Sequence, residues 1–209
     1  HKGFIPWDDD LDISMMAEDK EKLFEIFEKE EEFVIEEVYW SDGLLLRCPR
    51  IRYKDESKNG CIDIFLWERA DNEPTGDREL WAKRQKYVQM KEQAFQKLKP
   101  SLHKTLFAGE PITDLHDKEL IDKLFNDIYK QQRQECQKSG NTIYGQIDMW
   151  FEAGRWVGVY AKEDVLPFTT MKFETLDMPL PNHYDKFLTA QYGDWLALPS
   201  KVSPKHTRF

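Results

Sequence analysis

Cysteine is scarce: Cys48, Cys61 and Cys136 are all that the 209 residues contain. Three scattered thiols build no disulfide framework and show no zinc-ligand spacing, so they read as small buried or idle side chains in a reducing compartment. Long apolar runs are missing too. No segment reaches the roughly 18 consecutive apolar residues of a membrane span, and no signal-peptide pattern is visible. The expected location is cytoplasmic. Positive charge is in short supply, with 30 Lys and Arg against 39 Asp and Glu and a formal net charge of -9. Polyanionic backbones reward basic surfaces, so this balance argues against a nucleic-acid partner. An anionic small substrate stays open if a cation and a few Arg or Lys side chains neutralise it locally. Neither an internal repeat nor a low-complexity linker interrupts the chain. At 40% hydrophobic content one core is within reach, and a single domain over residues 1–209 is the expectation.

What the chain does have is a concentration of acid near its start. Gly3-Phe4-Ile5-Pro6-Trp7-Asp8-Asp9-Asp10-Leu11-Asp12-Ile13 holds Asp8, Asp9, Asp10 and Asp12 side by side between apolar flanks. Like charges this close repel, and a fold keeps them together mainly where a cation or another positive group compensates. A free acidic loop is the bland alternative; the flanking Phe4, Ile5, Trp7, Leu11, Ile13, Met15 and Met16 argue against it. In an extended chain Asp8, Asp10 and Asp12 share one face, with Asp9, Leu11 and Ile13 on the other. Three hard oxygen donors in line suit Mg²⁺ or Mn²⁺. An EF-hand loop would match Asp8-x-Asp10-x-Asp12, but it needs Gly where Ile13 stands and Glu where Asp19 stands, so that reading fails.

Further along, Ala17 to Glu32 predicts a helix with Leu23, Phe24 and Phe27 inward, and Glu28 to Glu37 reads as a mostly helical, solvated run. Phe33 to Trp40 and Leu44 to Tyr53 predict strands around a Ser41-Asp42-Gly43 turn. Asp55 to Gly60 makes the return into Cys61-Ile62-Asp63-Ile64-Phe65-Leu66-Trp67, apolar enough for a central strand. Asp63 stands alone in that strand. A buried acid costs several kcal/mol unless paired or metal-bound, so Asp63 is either a structural acid bonded to local donors or a third carboxylate brought beside Asp10 and Asp12 by strand pairing. Thr75 to Lys99 and Asp114 to Lys138 predict two long helices, Asn141 to Lys162 short strands, and Asp164 to Leu180 an extended stretch. Asn182 to Tyr192 predicts a short helix capped by Gly193.

These residues carry a family resemblance. His1-Lys2-Gly3-Phe4-Ile5-Pro6-Trp7-Asp8-Asp9-Asp10-Leu11-Asp12 resembles the signature of the LicD phosphotransferases, relatives of fukutin and fukutin-related protein. Three further stretches are similar in the same order: Ile62-Asp63-Ile64-Phe65, then Phe173-Glu174 with Met178-Pro179-Leu180-Pro181, then Leu188 with Gln191-Tyr192-Gly193-Asp194-Trp195. The resemblance implies a nucleotidyltransferase-like fold of the α/β (α+β) class, a mixed sheet flanked by helices. It also implies an upstream helix and Gly-rich turn that this sequence, opening on His1 without Met, is expected to lack. After the second acidic strand the family continues into Pro and an acid, where this chain has Leu66-Trp67-Glu68.

The implied activity is metal-dependent transfer of a phosphorylated small group. Phosphocholine from CDP-choline is the expected cargo, and a sugar hydroxyl of a surface glycan, a lipopolysaccharide or a teichoic acid precursor, lipid-linked or not, the expected acceptor. Asp10 and Asp12 would hold the ions, with Asp63 completing the site and accepting the hydroxyl proton. Asp8 is either a ligand or a residue just behind them. Arg50 and Arg52 are candidates for the donor phosphate or else surface cations, with Lys2 and Lys172 weaker candidates. His1 and His183 are site-lining candidates, while Tyr192 and Asp194 read as structural. Other readings stay open: a nucleotidyl or sugar-phosphate transferase on the same fold, or a silent glycan-binding relative.

Overall fold

The apolar run that follows Gly60 forms the strand on which the rest of the sheet is assembled. In the computed structural model, residues 3–4, 11–41, 45–70, 77–107, 112, 114–134, 142–145 and 158–197 are described. Strand β1 (Asp12–Met16) leads through a single 3₁₀ turn, Ala17–Asp19, into helix α1 (Lys20–Phe27). Strands β2 (Phe33–Ser41), β3 (Leu45–Tyr53) and β4 (Cys61–Ala70) follow, then helices α2 (Asp77–Phe95), α3 (Pro100–Phe107) and α4 (Leu115–Gln134). Strands β5 (Thr142–Gly145) and β6 (Gly158–Ala161), the single-turn helix α5 (Lys162–Val165), the hairpin β7 (Thr169–Phe173) with β8 (Leu176–Leu180), and helix α6 (Tyr184–Tyr192) complete the order.

Six strands make one mixed sheet, and β4 is its hub. Asp63 pairs with both Arg50 of β3 and Asp12 of β1, and Trp67 with both Met16 of β1 and Gly145 of β5. Because a strand residue has two in-plane neighbours, β1 lies along one side of β4 while β3 and β5 take the other side in succession. The β1–β4 pairing is parallel and the others are antiparallel. Parallel pairing needs a long crossover rather than a tight turn, and α1, β2 and β3 supply that connection. This mixed α+β arrangement agrees with a nucleotidyltransferase-like fold.

Two apolar clusters hold the layers. One lies among the helices: Tyr87 and Ala94 of α2, Leu98, Leu102, Ile112, and Ile121, Phe125, Ile128 and Tyr129 of α4. Lys91 is fully buried there, its ammonium 4.8 Å from the centre of the Tyr129 ring. The other cluster joins the sheet to the C-terminal elements, with Met16, Trp67 and Val165 at its centre and Tyr160, Leu166 and Phe187 packed around them. Trp67, Tyr160 and Phe187 have ring centroids 4.6 to 6.0 Å apart. Burial pushes the Tyr160 hydroxyl up to about 12.

Several expectations about local structure change. The helix foreseen over Ala17–Glu32 stops at Phe27, because Glu28, Glu30, Glu31 and Glu32 crowd like charge at its end. Glu36 and Glu37 belong to β2 rather than to a helical run. The helix foreseen from Thr75 stops at Phe95, and α3 starts anew at Pro100, since Pro fits a helix's first position and breaks an interior. The stretch from Asp164 is extended only from Thr169 onward; before it α5 makes one helical turn. Gly193 does cap α6, at φ 72 and with its N–H on the Thr189 carbonyl at 2.9 Å. The foreseen turn at 42–43 lies outside the described residues.

Asp164 ties α5 to α6. Its backbone carbonyl accepts from the His183 N–H at 2.9 Å, and its carboxylate meets His183 Nδ1 at 2.9 Å and Lys186 Nζ. The side-chain hydrogen bonds from Lys186 and His183 hold this carboxyl below its ordinary range. A depressed carboxyl stabilises the fold fully above its unfolded value, roughly pH 3.9, and loses that contribution as the pH falls toward its lower folded value. Thermal melts between pH 5 and pH 2 should therefore show wild type losing stability across this acid window. Asp164→Asn should start lower and fall less steeply; parallel curves would remove Asp164 from the acid response.

Candidate metal centre

The pairing registers draw a row of charged residues straight across four strands. Glu36 of β2 stands opposite Arg50 of β3, Arg50 opposite Asp63 of β4, and Asp63 opposite Asp12 of β1. Side chains in register on neighbouring strands share a face, so the row lies on one side of the sheet. The parallel pairing is anchored beside it, where the Asp63 N–H donates to the Leu11 carbonyl at 3.2 Å. Glu37 faces the opposite side and takes Lys20 of α1 as its ion-pair partner.

Asp63 is buried at 6% exposure, while Asp12 across from it is exposed. Burial on that scale demands compensation, and Arg50 provides it. Arg50 Nε donates to Asp63 Oδ1 at 2.7 Å and the terminal nitrogen Nη2 donates to Oδ2 at 3.0 Å, a two-pronged pair. Burial works against the guanidinium charge, but the hydrogen bonds and the charge of Asp63 outweigh it and raise the Arg50 pKa. Cys48 Sγ lies 4.0 Å from Asp63 Oδ1 on the buried side.

Arg52 turns to Glu36, with Nε on one carboxylate oxygen at 2.8 Å and Nη2 on the other at 3.3 Å, and its remaining terminal nitrogen reaches the Tyr53 carbonyl at 3.0 Å. The contact with Glu36 raises its pKa above the ordinary arginine value. Lys172 sits on the β7–β8 hairpin, opposite Asp177 and 2.8 Å from its carboxylate, with both side chains largely in solvent. His183 is engaged with Asp164. Thus the structure brings Asp12, Asp63, Arg50 and Arg52 together on one face and assigns Lys172 and His183 partners elsewhere. Asp8, Asp10, Lys2 and His1 lie outside the described residues.

Two contacts escaped the sequence reading. The Arg50–Asp63 pairing is one; folding β4 back onto β3 about the Asp55–Gly60 turn would have revealed it. The other joins the chain's first residues to its late hairpin. The Phe4 N–H donates to Glu174 Oε1 at 3.3 Å, and the Phe4 ring meets Phe173 edge-on at 4.9 Å. A Cβ on Gly3 would fall 2.1 Å from that same Glu174 oxygen, so a larger residue there would push the Glu174 carboxylate aside. Only local sequence signals were available, and these partners are 170 positions apart.

The chemistry of the donor set fits a hard divalent cation. Asp12 and Asp63 offer carboxylate oxygens from adjacent strands, one reachable from solvent and one fixed by an arginine. A separate trio, Asp114, His116 and Asp117, has ligand atoms within 4.8 Å of one another. Its geometry has another explanation: Asp114 caps α4, accepting the Asp117 N–H at 2.9 Å, and Lys99 neutralises Asp117 at 2.7 Å.

A family model described as LicD/FKTN/FKRP, nucleotidyltransferase domain, matches residues 1–112. The chain is 25% identical over 222 residues to the lipopolysaccharide cholinephosphotransferase LicD of Haemophilus influenzae, an alignment covering 98% of this chain and 80% of that protein. No solved structure matches.

The two described acids should respond differently to substitution. Removing one partner of a buried ion pair strands the other charge, so Asp63→Ala should lower stability by about 3–5 kcal/mol in urea unfolding. The exposed Asp12→Asn should cost a small fraction of that. Equal effects would mean that the Arg50–Asp63 pair does not carry the buried charge.

Proposed function

The chain belongs to the LicD/FKTN/FKRP nucleotidyltransferase family, and from that premise we propose that it is a metal-dependent phosphotransferase moving phosphocholine from CDP-choline to a sugar hydroxyl of a surface glycan. The observation that carries the reading is the Asp12–Asp63 register pair on one face of the sheet. The likeness to a lipopolysaccharide cholinephosphotransferase supports the choice of cargo and acceptor. No described helix is long and apolar enough to cross a membrane; work at the inner membrane face would supply a lipid-linked acceptor.

In this proposal Asp12 and Asp63, joined by Asp10 and with Asp8 as ligand or immediate support, hold one or two divalent ions. Mg²⁺ or Mn²⁺ bound there supplies charge neutralisation on the donor diphosphate. The chain's own residues fix the geometry. β4 sets Asp63 in the sheet interior, Arg50 holds its carboxylate, and β1 presents Asp12 at the open side, where donor and acceptor approach. Transfer of this kind depends on in-line positioning more than on covalent machinery. With both oxygens on Arg50, Asp63 is better suited as a ligand, and the acceptor hydroxyl's proton falls to the exposed Asp12. Arg52 would approach donor phosphate only by leaving Glu36, whereas Lys2 and Lys172 remain proposals from the sequence.

Thermal-shift titration with CDP-choline, with and without Mn²⁺, tests this on wild type and Asp12→Asn. Stabilisation that needs ion and donor together, and disappears in the variant, is the expected result. Turnover of Asp12→Asn or Asp10→Asn should fall on the order of a thousandfold; a variant keeping most activity would sink the assignment. Ion binding without a CDP-choline effect would redirect the reading to another nucleotide donor. No response to the ion would favour a silent glycan-binding relative.

A further inference from the structure

We infer that Arg50 is the positioning residue of the cation site: its guanidinium fixes the Asp63 carboxylate so that the lone pairs turned away from it serve a cation shared with Asp12. The inference rests on the metal-dependent reading of the same site. Each carboxylate oxygen has two acceptor directions. Arg50 takes one on each oxygen of Asp63, through Nε at 2.7 Å and Nη2 at 3.0 Å. A planar fork with two prongs leaves the carboxylate no freedom to swing about its last torsion, whereas a single point contact would. Both partners are well inside, with side-chain exposures of 22% for Arg50 and 7% for Asp63, so water competes little for the pair.

The neighbours reinforce the assignment. Arg52, the other cation of the face, is already spread over both oxygens of Glu36 and the Tyr53 carbonyl, and offers no substitute. The Cys48 thiol donates to Asp63 Oδ1 at 4.0 Å on the buried flank, so of the two directions turned away from Arg50 the one on Oδ2 is the better placed for a cation. The next strand on the open flank is β1, with Asp12 in register. Arg50 does a second thing: it keeps a buried acid neutralised while no cation is bound, so the strand folds without waiting for one. Groups that orient a ligating carboxylate from behind typically contribute 10–100-fold to metal affinity.

The experiment is a Mn²⁺ titration of the whole chain followed by electron paramagnetic resonance, on wild type and Arg50→Lys, with circular dichroism to confirm folding. Lysine keeps the charge and removes the fork. The inference expects a folded variant whose Mn²⁺ dissociation constant rises by about 10–100-fold. A folded variant within about twofold of wild type would overturn it, leaving Arg50 a mere counter-charge. Wild type that binds no Mn²⁺ would overturn the metal reading itself and the inference with it. Should Arg50→Lys fail to fold, a crystal structure of wild type with Mn²⁺ decides: Asp63 touching both the ion and Arg50 supports the inference, and Arg50 displaced from Asp63 overturns it.

Discussion

The charged face of the sheet depends on one ion pair. A buried aspartate in a sheet's hub strand is costly, and Asp63 occupies that place because Arg50 meets both its oxygens from the adjacent strand. The pair fixes more than a charge. It requires β3 and β4 to meet in one register, and that register aligns Glu36 and Arg50 with Asp63 and Asp12 across the sheet. Charge alternates from Glu36 through Arg50 to Asp63, and Asp12 then repeats the negative sign beside Asp63. Asp12 on β1 is the exposed acid of the row, while Glu36 at the other end is half-buried against Arg52.

The sheet does not end where the family model ends. β4 is paired along its later half with β5 at Thr142–Gly145, and β5 in turn with β6. The aromatic cluster beneath them draws Trp67 and Met16 together with Tyr160, Val165 and Phe187. Glu174, at the tip of the last hairpin, holds the backbone of Phe4 just ahead of the acidic run. Residues beyond 112 are therefore part of the platform that carries Asp12 and Asp63.

Local patterns made much of this legible. Cys61–Trp67 announced a central strand because both of its faces are apolar, and the cost of a lone acid there marked Asp63 for compensation before any partner was known. The acidic stretch ending at Asp12 and the capping Gly193 were equally local signals. Strand pairing that brings Asp63 beside Asp12 was legible too; what stayed hidden were the partners of Arg50 and Glu174. Arg50 finds its acid 13 positions on only when β4 is folded back onto β3 about the Asp55–Gly60 turn, and nothing near Glu174 announces Phe4. Helix α3 was missed because eight residues after a helix end carry too few turns for a periodic signal, even with Pro100 at its start.

The parallel register of β1 against β4 has a consequence for how such a site tolerates change in length. Side chains alternate along a strand, so deleting one residue between Asp12 and Met16 would force a choice. Either Met16 leaves Trp67 and the aromatic cluster opens, or Asp12 slides off Asp63 and its carboxylate turns to the opposite face. The return at Asp55–Gly60 is under no such restraint, being exposed throughout. Insertions and deletions should accumulate there among descendants of this chain, while the five-residue span of β1 stays fixed even where its individual side chains drift.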